Sequence, residues 1–150
     1  MRVVLQRVKN AQVETEGKII GKIDQGYLLL VGFTHHDDIK EIDYLAHKIA
    51  NARLFSDENG KMNLSIKQVH GKILSVSQFT LYATNKNGNR PSFIRAQKPE
   101  LAQENYDYFN EMLRSYDLEV ETGKFGAQME VSLTNDGPVT IIYDTAEIKK

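Results

Sequence analysis

Met129-Glu130-Val131-Ser132-Leu133-Thr134-Asn135-Asp136-Gly137-Pro138-Val139-Thr140-Ile141-Ile142-Tyr143, near the end of a 150-residue chain, sets two strand-like runs on either side of a Gly-Pro step. The flanking runs are rich in β-branched residues and read as strands. Glycine lacks a Cβ and proline lacks an amide hydrogen, so the step normally marks a place where regular structure stops. Two readings follow. Either Asn135-Asp136-Gly137-Pro138 is an ordinary hairpin turn, or it offers bare backbone to whatever lies opposite. The Gly137-Pro138 bond is also one of the few in the chain that can be cis at modest cost.

Working back along the chain, the first third reads as an antiparallel meander. Ala11, Val13 and Thr15 alternate with polar neighbours, Gly17-Lys18 turns the chain, residues 19–23 form a second strand, and Asp24-Gln25-Gly26 leads into a buried-looking strand over residues 27–33. Asp37 or Asp38 can cap a helix whose apolar face carries Ile39, Ile42, Leu45, Ala46, Ile49 and Ala50. A second helix opens at Pro99, a favoured first helical position, with Leu101, Tyr108, Phe109, Met112, Leu113 and Tyr116 on its apolar stripe. Between them Ile73-Leu74-Ser75-Val76 reads as a strand that runs on through Ser77-Gln78-Phe79-Thr80-Leu81 to Tyr82-Ala83. The order is strands, helix, strand, helix, strands. The expected fold class is α/β: one domain over residues 1–150, layered β/β/α, with mostly antiparallel strands and two main helices.

Composition narrows the function. With 41% hydrophobic residues the chain can build a real core, and 19 basic against 20 acidic residues leave no basic excess to announce a nucleic-acid binder. Any contact with nucleic acid is therefore local. The absence of cysteine excludes disulfides, thiolate nucleophiles and cysteine-ligated metals, and suits a reducing compartment. The first residues lack the apolar core of a signal peptide, and the longest apolar stretch, residues 27–31, is too short to span a bilayer. A soluble protein of the cytoplasm, with no membrane partner, is expected.

Familiar catalytic constellations are missing: there is no phosphate-binding loop of the Walker type, no dinucleotide fingerprint and no Gly-x-Ser-x-Gly elbow. His35-His36-Asp37-Asp38 reads as a polar loop before a helix rather than a metal site, His47 falls on the solvent side of its helix, and His70 sits in a turn. Asp57-Glu58-Asn59-Gly60-Lys61 is a good tight turn and lacks the closing acid of a calcium loop. No metal or cofactor is expected. Three segments are more informative. Ser77-Gln78-Phe79-Thr80-Leu81 carries hydroxyls, an amide and a flat ring where a purely structural strand would be more apolar, although alternation alone explains an outward polar face. In Thr84-Asn85-Lys86-Asn87-Gly88-Asn89-Arg90-Pro91-Ser92-Phe93, Lys86 and Arg90 can meet phosphate, or simply sit solvated on a polar loop. Thr122-Gly123-Lys124-Phe125-Gly126-Ala127 is a bend that exposes Phe125 for stacking or anchors it to the core.

Taken in order, Ser77-Gln78-Phe79-Thr80-Leu81, Arg90-Pro91-Ser92-Phe93, Thr122-Gly123-Lys124-Phe125-Gly126-Ala127 and Asn135-Asp136-Gly137-Pro138-Val139-Thr140 closely resemble the D-aminoacyl-tRNA deacylase family, also called D-tyrosyl-tRNA deacylases. The opening Met1-Arg2-Val3-Val4-Leu5-Gln6-Arg7-Val8 and Gly60-Lys61-Met62-Asn63-Leu64-Ser65 share the likeness, which covers essentially the whole chain. Asn87 departs from it, since many relatives have a basic residue there.

The resemblance implies a cytoplasmic homodimer that hydrolyses the ester between a D-amino acid and the terminal adenosine of tRNA, and also acts on mischarged glycine. It implies a cis Gly137-Pro138 peptide that enters the partner subunit's pocket and rejects L-amino acids with its backbone. Ser77, Gln78, Phe79 and Thr80 are then the catalytic segment, with backbone amides near Phe79 and Thr80 as an oxyanion pocket. Phe125, Met129 and Arg90 join Gly137 and Pro138 on the substrate-binding side. The ribose 2′-hydroxyl would help activate water, with attack by the Thr80 hydroxyl as the rival route. A non-catalytic RNA- or nucleotide-binding module is the alternative function, and a hydrolase of small D-amino-acid esters a third.

Overall fold

The computed structural model describes residues 1–147. Strand β1 (Arg2–Thr15) is followed by β2 (Lys18–Ile23), β3 (Gly26–Gly32), helix α1 (Ile39–Asn51), the short strands β4 (Phe55–Ser56) and β5 (Met62–Leu64), β6 (Lys72–Ser77), a 3-10 turn (Phe79–Tyr82), helix α2 (Pro99–Arg114), β7 (Val120–Thr122) and β8 (Glu130–Asp144).

β1 organises the molecule. On one edge it pairs antiparallel with β3 through residues 2–8 and with β2 through residues 11–15; on the other it pairs antiparallel with β8 from residue 2 to residue 14. β3 then pairs parallel with β6, and β6 parallel with β7. The sheet is therefore mixed. Parallel neighbours need long crossover connections, and the segments carrying α1 and α2 supply them. The β3–β6 approach is close: a Cβ on Gly26 would lie 1.7 Å from the Lys72 carbonyl oxygen.

Alternation along these strands builds two cores. Val3, Leu5, Tyr27, Leu29, Val31 and Ile73 face the helices and meet Ile42, Leu45, Ile49, Tyr106, Phe109 and Leu113. Leu28, Leu74 and Val76 face the other way and meet Val8, Ala11, Val13 and Ile23. The second set exists because β1 runs on past β3 and carries β2 over the sheet, where β2 touches β6 and β7. A sheet buried on both faces, helices outside one of them, is the β/β/α layering expected from the sequence. Each fully buried aliphatic side chain here contributes about 1.5–3 kcal/mol.

The helix ends follow their local chemistry. Asp38 caps α1 by accepting from the Lys40 amide, and Glu41 reaches back to accept from the Asp38 amide at 2.9 Å. Asp37 serves elsewhere, accepting from the Thr34 amide at 2.7 Å and pairing with the Met1 amine at 2.7 Å. Ile39, placed on the apolar face by its spacing, is exposed, as is Leu101 of α2. The buried line of α2 keeps the expected Phe109 and Leu113 and adds Ala102 and Tyr106, at spacings of four, three and four, with Tyr108, Met112 and Tyr116 packed at its side.

Two expectations are corrected. The strand expected to continue through Thr80 to Ala83 ends at Ser77, because its partner β3 ends at Gly32 and leaves no ladder beyond it. The chain curls instead, with the Leu81 amide bonded to the Gln78 carbonyl at 3.2 Å and the Arg2 guanidinium donating to the Leu81 carbonyl at 2.9 Å. Nor is Asn135-Asp136-Gly137-Pro138 a hairpin turn. β8 is one strand that pairs with β1 on both sides of the step, so the two flanking runs point the same way. No helix among the described residues is long and apolar enough to cross a membrane.

Candidate active site

A cavity of about 770 Å³ opens where β3 and β6 end, between the 3-10 turn, the start of α2 and the bend after β7. It brings together Ser77, Gln78, Phe79, Phe125 and Met129 from three of the segments singled out in the sequence. The Gln78 amide bonds to the Val31 carbonyl at 2.7 Å and so ties the turn to β3. The amides of Phe79 and Thr80 open that turn and have no backbone acceptor among the described residues. The Gln78 side-chain amide donates to the Thr80 hydroxyl, which stands just outside the residues that line the cavity. At the mouth Phe79 is 57% exposed and packs edge-on against Phe93 at 5.0 Å. The opposite wall is the bend after β7, where Met129 lies under the Lys124 amide.

The lining is mostly apolar and neutral. Among its residues Lys98 is the only one with an ionisable side chain; no carboxylate or histidine faces the space. His35 instead meets the Ile94 carbonyl at 2.6 Å and fixes the loop behind the mouth. Lys86 and Arg90 lie exposed on a loop closed by the Thr84 and Ser92 amides and carbonyls, away from the lining.

Gly137 and Pro138 do not line this cavity. The β1–β8 register jumps from Gln6↔Thr140 to Val8↔Asn135, so the Asp136–Val139 stretch loops out opposite Arg7 alone, as a wide bulge with Gly137 and Pro138 exposed at its tip. The Gly137-Pro138 peptide is cis. Asn135 closes the base of the bulge: its side-chain oxygen accepts from the Val139 amide at 2.7 Å, and its nitrogen donates to the Val139 carbonyl at 3.1 Å. Arg7 supports it from below, donating to the Asp136 carbonyl at 2.9 Å and the Leu54 carbonyl at 2.6 Å while 7% exposed. Neither support was assigned from sequence. The one available signal was a cation at an inward position of the Val3, Leu5, Arg7 alternation. Replacing Asn135 with Ala should cost about 1 kcal/mol and loosen the tip; a thermal melt and the amide resonance of Val139 will show both.

A family model described as D-Tyr-tRNA(Tyr) deacylase matches residues 4–144. The chain belongs to that family. Among relatives of this deacylase family, the D-aminoacyl-tRNA deacylase of Bacillus cytotoxicus is 57% identical over 145 residues, covering 97% of this chain and 99% of the relative. That of Exiguobacterium sibiricum is 58% identical over 144 residues, covering 96% and 99%. Among solved structures, a c-Myc DNA unwinding element binding protein superposes with a TM-score of 0.89 at 41% identity, covering 96% of this chain and 98% of the other. A probable eukaryotic D-amino acid tRNA deacylase superposes with a TM-score of 0.81 at 16% identity, covering 95% and 97%, and shares the fold.

Proposed function

We propose that the protein hydrolyses the ester of D-aminoacyl-tRNA, and of glycine mischarged onto tRNA, releasing the free amino acid and tRNA. Water adds across the ester carbonyl, and the bond to the ribose oxygen breaks. The observation that carries this reading is the composition of the cavity: a mostly apolar space with amides of the Phe79–Tyr82 turn at its edge, Lys98 as its one ionisable side chain and no carboxylate or histidine in its wall. Such a site suits a substrate that is already activated and needs positioning and an oxyanion pocket rather than a protein base. The neighbouring 2′-hydroxyl of the substrate then assists the attacking water. Ser77 and Gln78 shape the pocket and the backbone amides near Phe79 and Thr80 take the oxyanion, while the Phe79 ring, Phe125 and Met129 line the adenosine side and Arg90 meets a backbone phosphate.

The chirality filter in this reading is the bulge tip. Gly137 and Pro138 stand exposed and outside their own chain's cavity, so they act in a partner's, and residues 1–150 work as one domain of a cytoplasmic homodimer. Exposed Phe79, Phe93 and Ile94 around the mouth suit such an interface. Backbone carbonyls set against the α-carbon leave room for hydrogen in one direction only; D-amino acids and glycine pass, whatever the side chain.

Hydrolysis of matched D-, L- and glycyl-tRNA by the purified protein tests the activity: D and glycyl esters should turn over and L esters should not. Binding without turnover would favour a non-catalytic RNA-binding module. Thr80→Ala should lose less than about tenfold in rate, the scale of one hydrogen bond. A loss of about 10⁴-fold or more, with a trapped acyl-Thr80 adduct, would make Thr80 the nucleophile.

A further inference from the structure

A second cavity, of about 360 Å³, lies between the C-terminal half of α2 and the bend after β7. Gln103, Asp107, Asn110, Thr122 and Lys124 give it a polar lining, and Phe125 forms a wall of both cavities. Asn110 is 2% exposed. Beside it Tyr106, also buried, donates its hydroxyl to the Ser75 carbonyl at 2.7 Å. Burial raises the Tyr106 pKa and keeps that proton in place. The Asn110 side-chain oxygen Oδ1 is buried with no donor among the described residues. A buried acceptor without a donor is unfavourable, so this position is built for an incoming N–H.

The charged groups around it divide the cavity. Arg114 is held by Glu111 at 2.6 Å and by the Val120 carbonyl at 2.8 Å. Lys124 is exposed and has no ion-pair partner among the described residues. Asp107 and Glu111 make the helix side unfavourable for a phosphate, and Lys124 makes the opposite side favourable.

We propose that this second cavity is the subsite for the nucleotide preceding the terminal adenosine of the bound tRNA end, whose base donates an exocyclic amino group to Asn110 Oδ1 while Lys124 meets the phosphate joining the two nucleotides. The inference rests on the deacylase reading of the first cavity. Every tRNA ends in C-C-A, so the base is cytosine, whose 4-amino group is the donor; uracil would set a carbonyl oxygen against Oδ1. Single-stranded ends are commonly held in this way, by hydrogen bonds to base edges beside aromatic faces and a cation on the backbone.

The test uses three amide-linked, non-hydrolysable D-alanyl analogues: of adenosine alone, of the dinucleotide CpA and of UpA. CpA should bind the intact protein about tenfold more tightly than adenosine, and UpA only about twofold more tightly, the share of the phosphate. Asn110→Leu should bring CpA down to UpA while leaving the adenosine analogue unchanged. Lys124→Ala should remove the residual gain of both dinucleotides. Equal affinity for CpA and UpA in the unmodified protein overturns the subsite without recourse to any variant, and so does an Asn110→Leu effect that weakens all three ligands alike. If adenosine binds and the cytidine adds nothing, only the subsite falls; if none of the three binds, the deacylase reading falls with it.

Discussion

Gly137→Ala should lower kcat/KM for D-aminoacyl-tRNA by about 10²-fold while lowering the melting temperature by only about 5 °C or less. Gly137 has φ +142°, a conformation that side chains rarely adopt, and an added Cβ would lie 2.7 Å from Val139 Cγ2 and 3.3 Å from an Arg7 guanidinium nitrogen. Relief can come only by moving the exposed tip, because Arg7 is anchored to the Asp136 and Leu54 carbonyls. The tip belongs to neither core, so the damage falls on function rather than on stability. D-substrates of very different size should suffer alike if the tip is the proposed filter, which would touch the α-carbon and not the side chain. Co-expression with a chain whose own cavity is filled, such as Ala127→Trp, should restore activity at mixed dimers. Full activity in the Gly137 variant would remove the tip from the site.

Gly26→Ala should act on the fold itself, at a cost of about 4 kcal/mol or more. The added Cβ would meet the Lys72 carbonyl oxygen at 1.7 Å, with the Lys72 carbonyl carbon and amide nitrogen at 2.7 and 2.8 Å. These are backbone atoms of a paired strand and cannot swing aside; β3 and β6 would have to separate at the start of their parallel ladder. A fall in Tm of about 10 °C or more is expected, or recovery only as insoluble protein. Gly17→Ala is the control: its φ is +75° but no atom lies within 4 Å of the added carbon, so only the local backbone term of ~1 kcal/mol should be lost. Equal Tm values for the two variants would show that the β3–β6 approach is looser than these distances imply.

What could be read from the sequence was what local chemistry decides. The alternation of Ala11, Val13 and Thr15, the turns at Gly17-Lys18 and Asp24-Gln25-Gly26, the Asp38 cap and Pro99 at the head of α2 each depend on neighbours a few residues away, and each stands where its residues put it, although β1 itself reaches back to Arg2. What could not be read depended on remote partners. Phe79-Thr80-Leu81-Tyr82 has strand propensity, and only the end of β3 and the reach of Arg2 turn it into a curl. Asn135-Asp136-Gly137-Pro138 has the composition of a turn, and only pairing with β1, more than 120 residues earlier, makes it a bulge in a continuous strand. Of the segments marked as chemically unusual, those around Ser77 and Phe125 share one cavity, while Gly137-Pro138 and Arg90 stand apart from it. The buried Asn110, four residues after Tyr106 on α2, was invisible because an asparagine on an amphipathic helix declares nothing until its neighbours are known.

β1 hydrogen-bonds along both edges, to β8 on one side and to β3 and then β2 on the other. Neither layer can therefore peel away while the other stays intact, since the strand common to both would lose half its bonds. Local unfolding that exposes a subset of amides, usual in proteins whose layers are separately closed, is suppressed here. The amides of Val3 to Val8 should exchange with solvent only through complete unfolding, at one shared rate. The floor of the cavity rests on the ends of β3 and β6, which this strand secures, so that part of the site should keep fixed dimensions when substrates bind. On the proposed reading of the filter, discrimination would then occur at entry, with a ligand of the wrong hand turned away without rearrangement of the sheet.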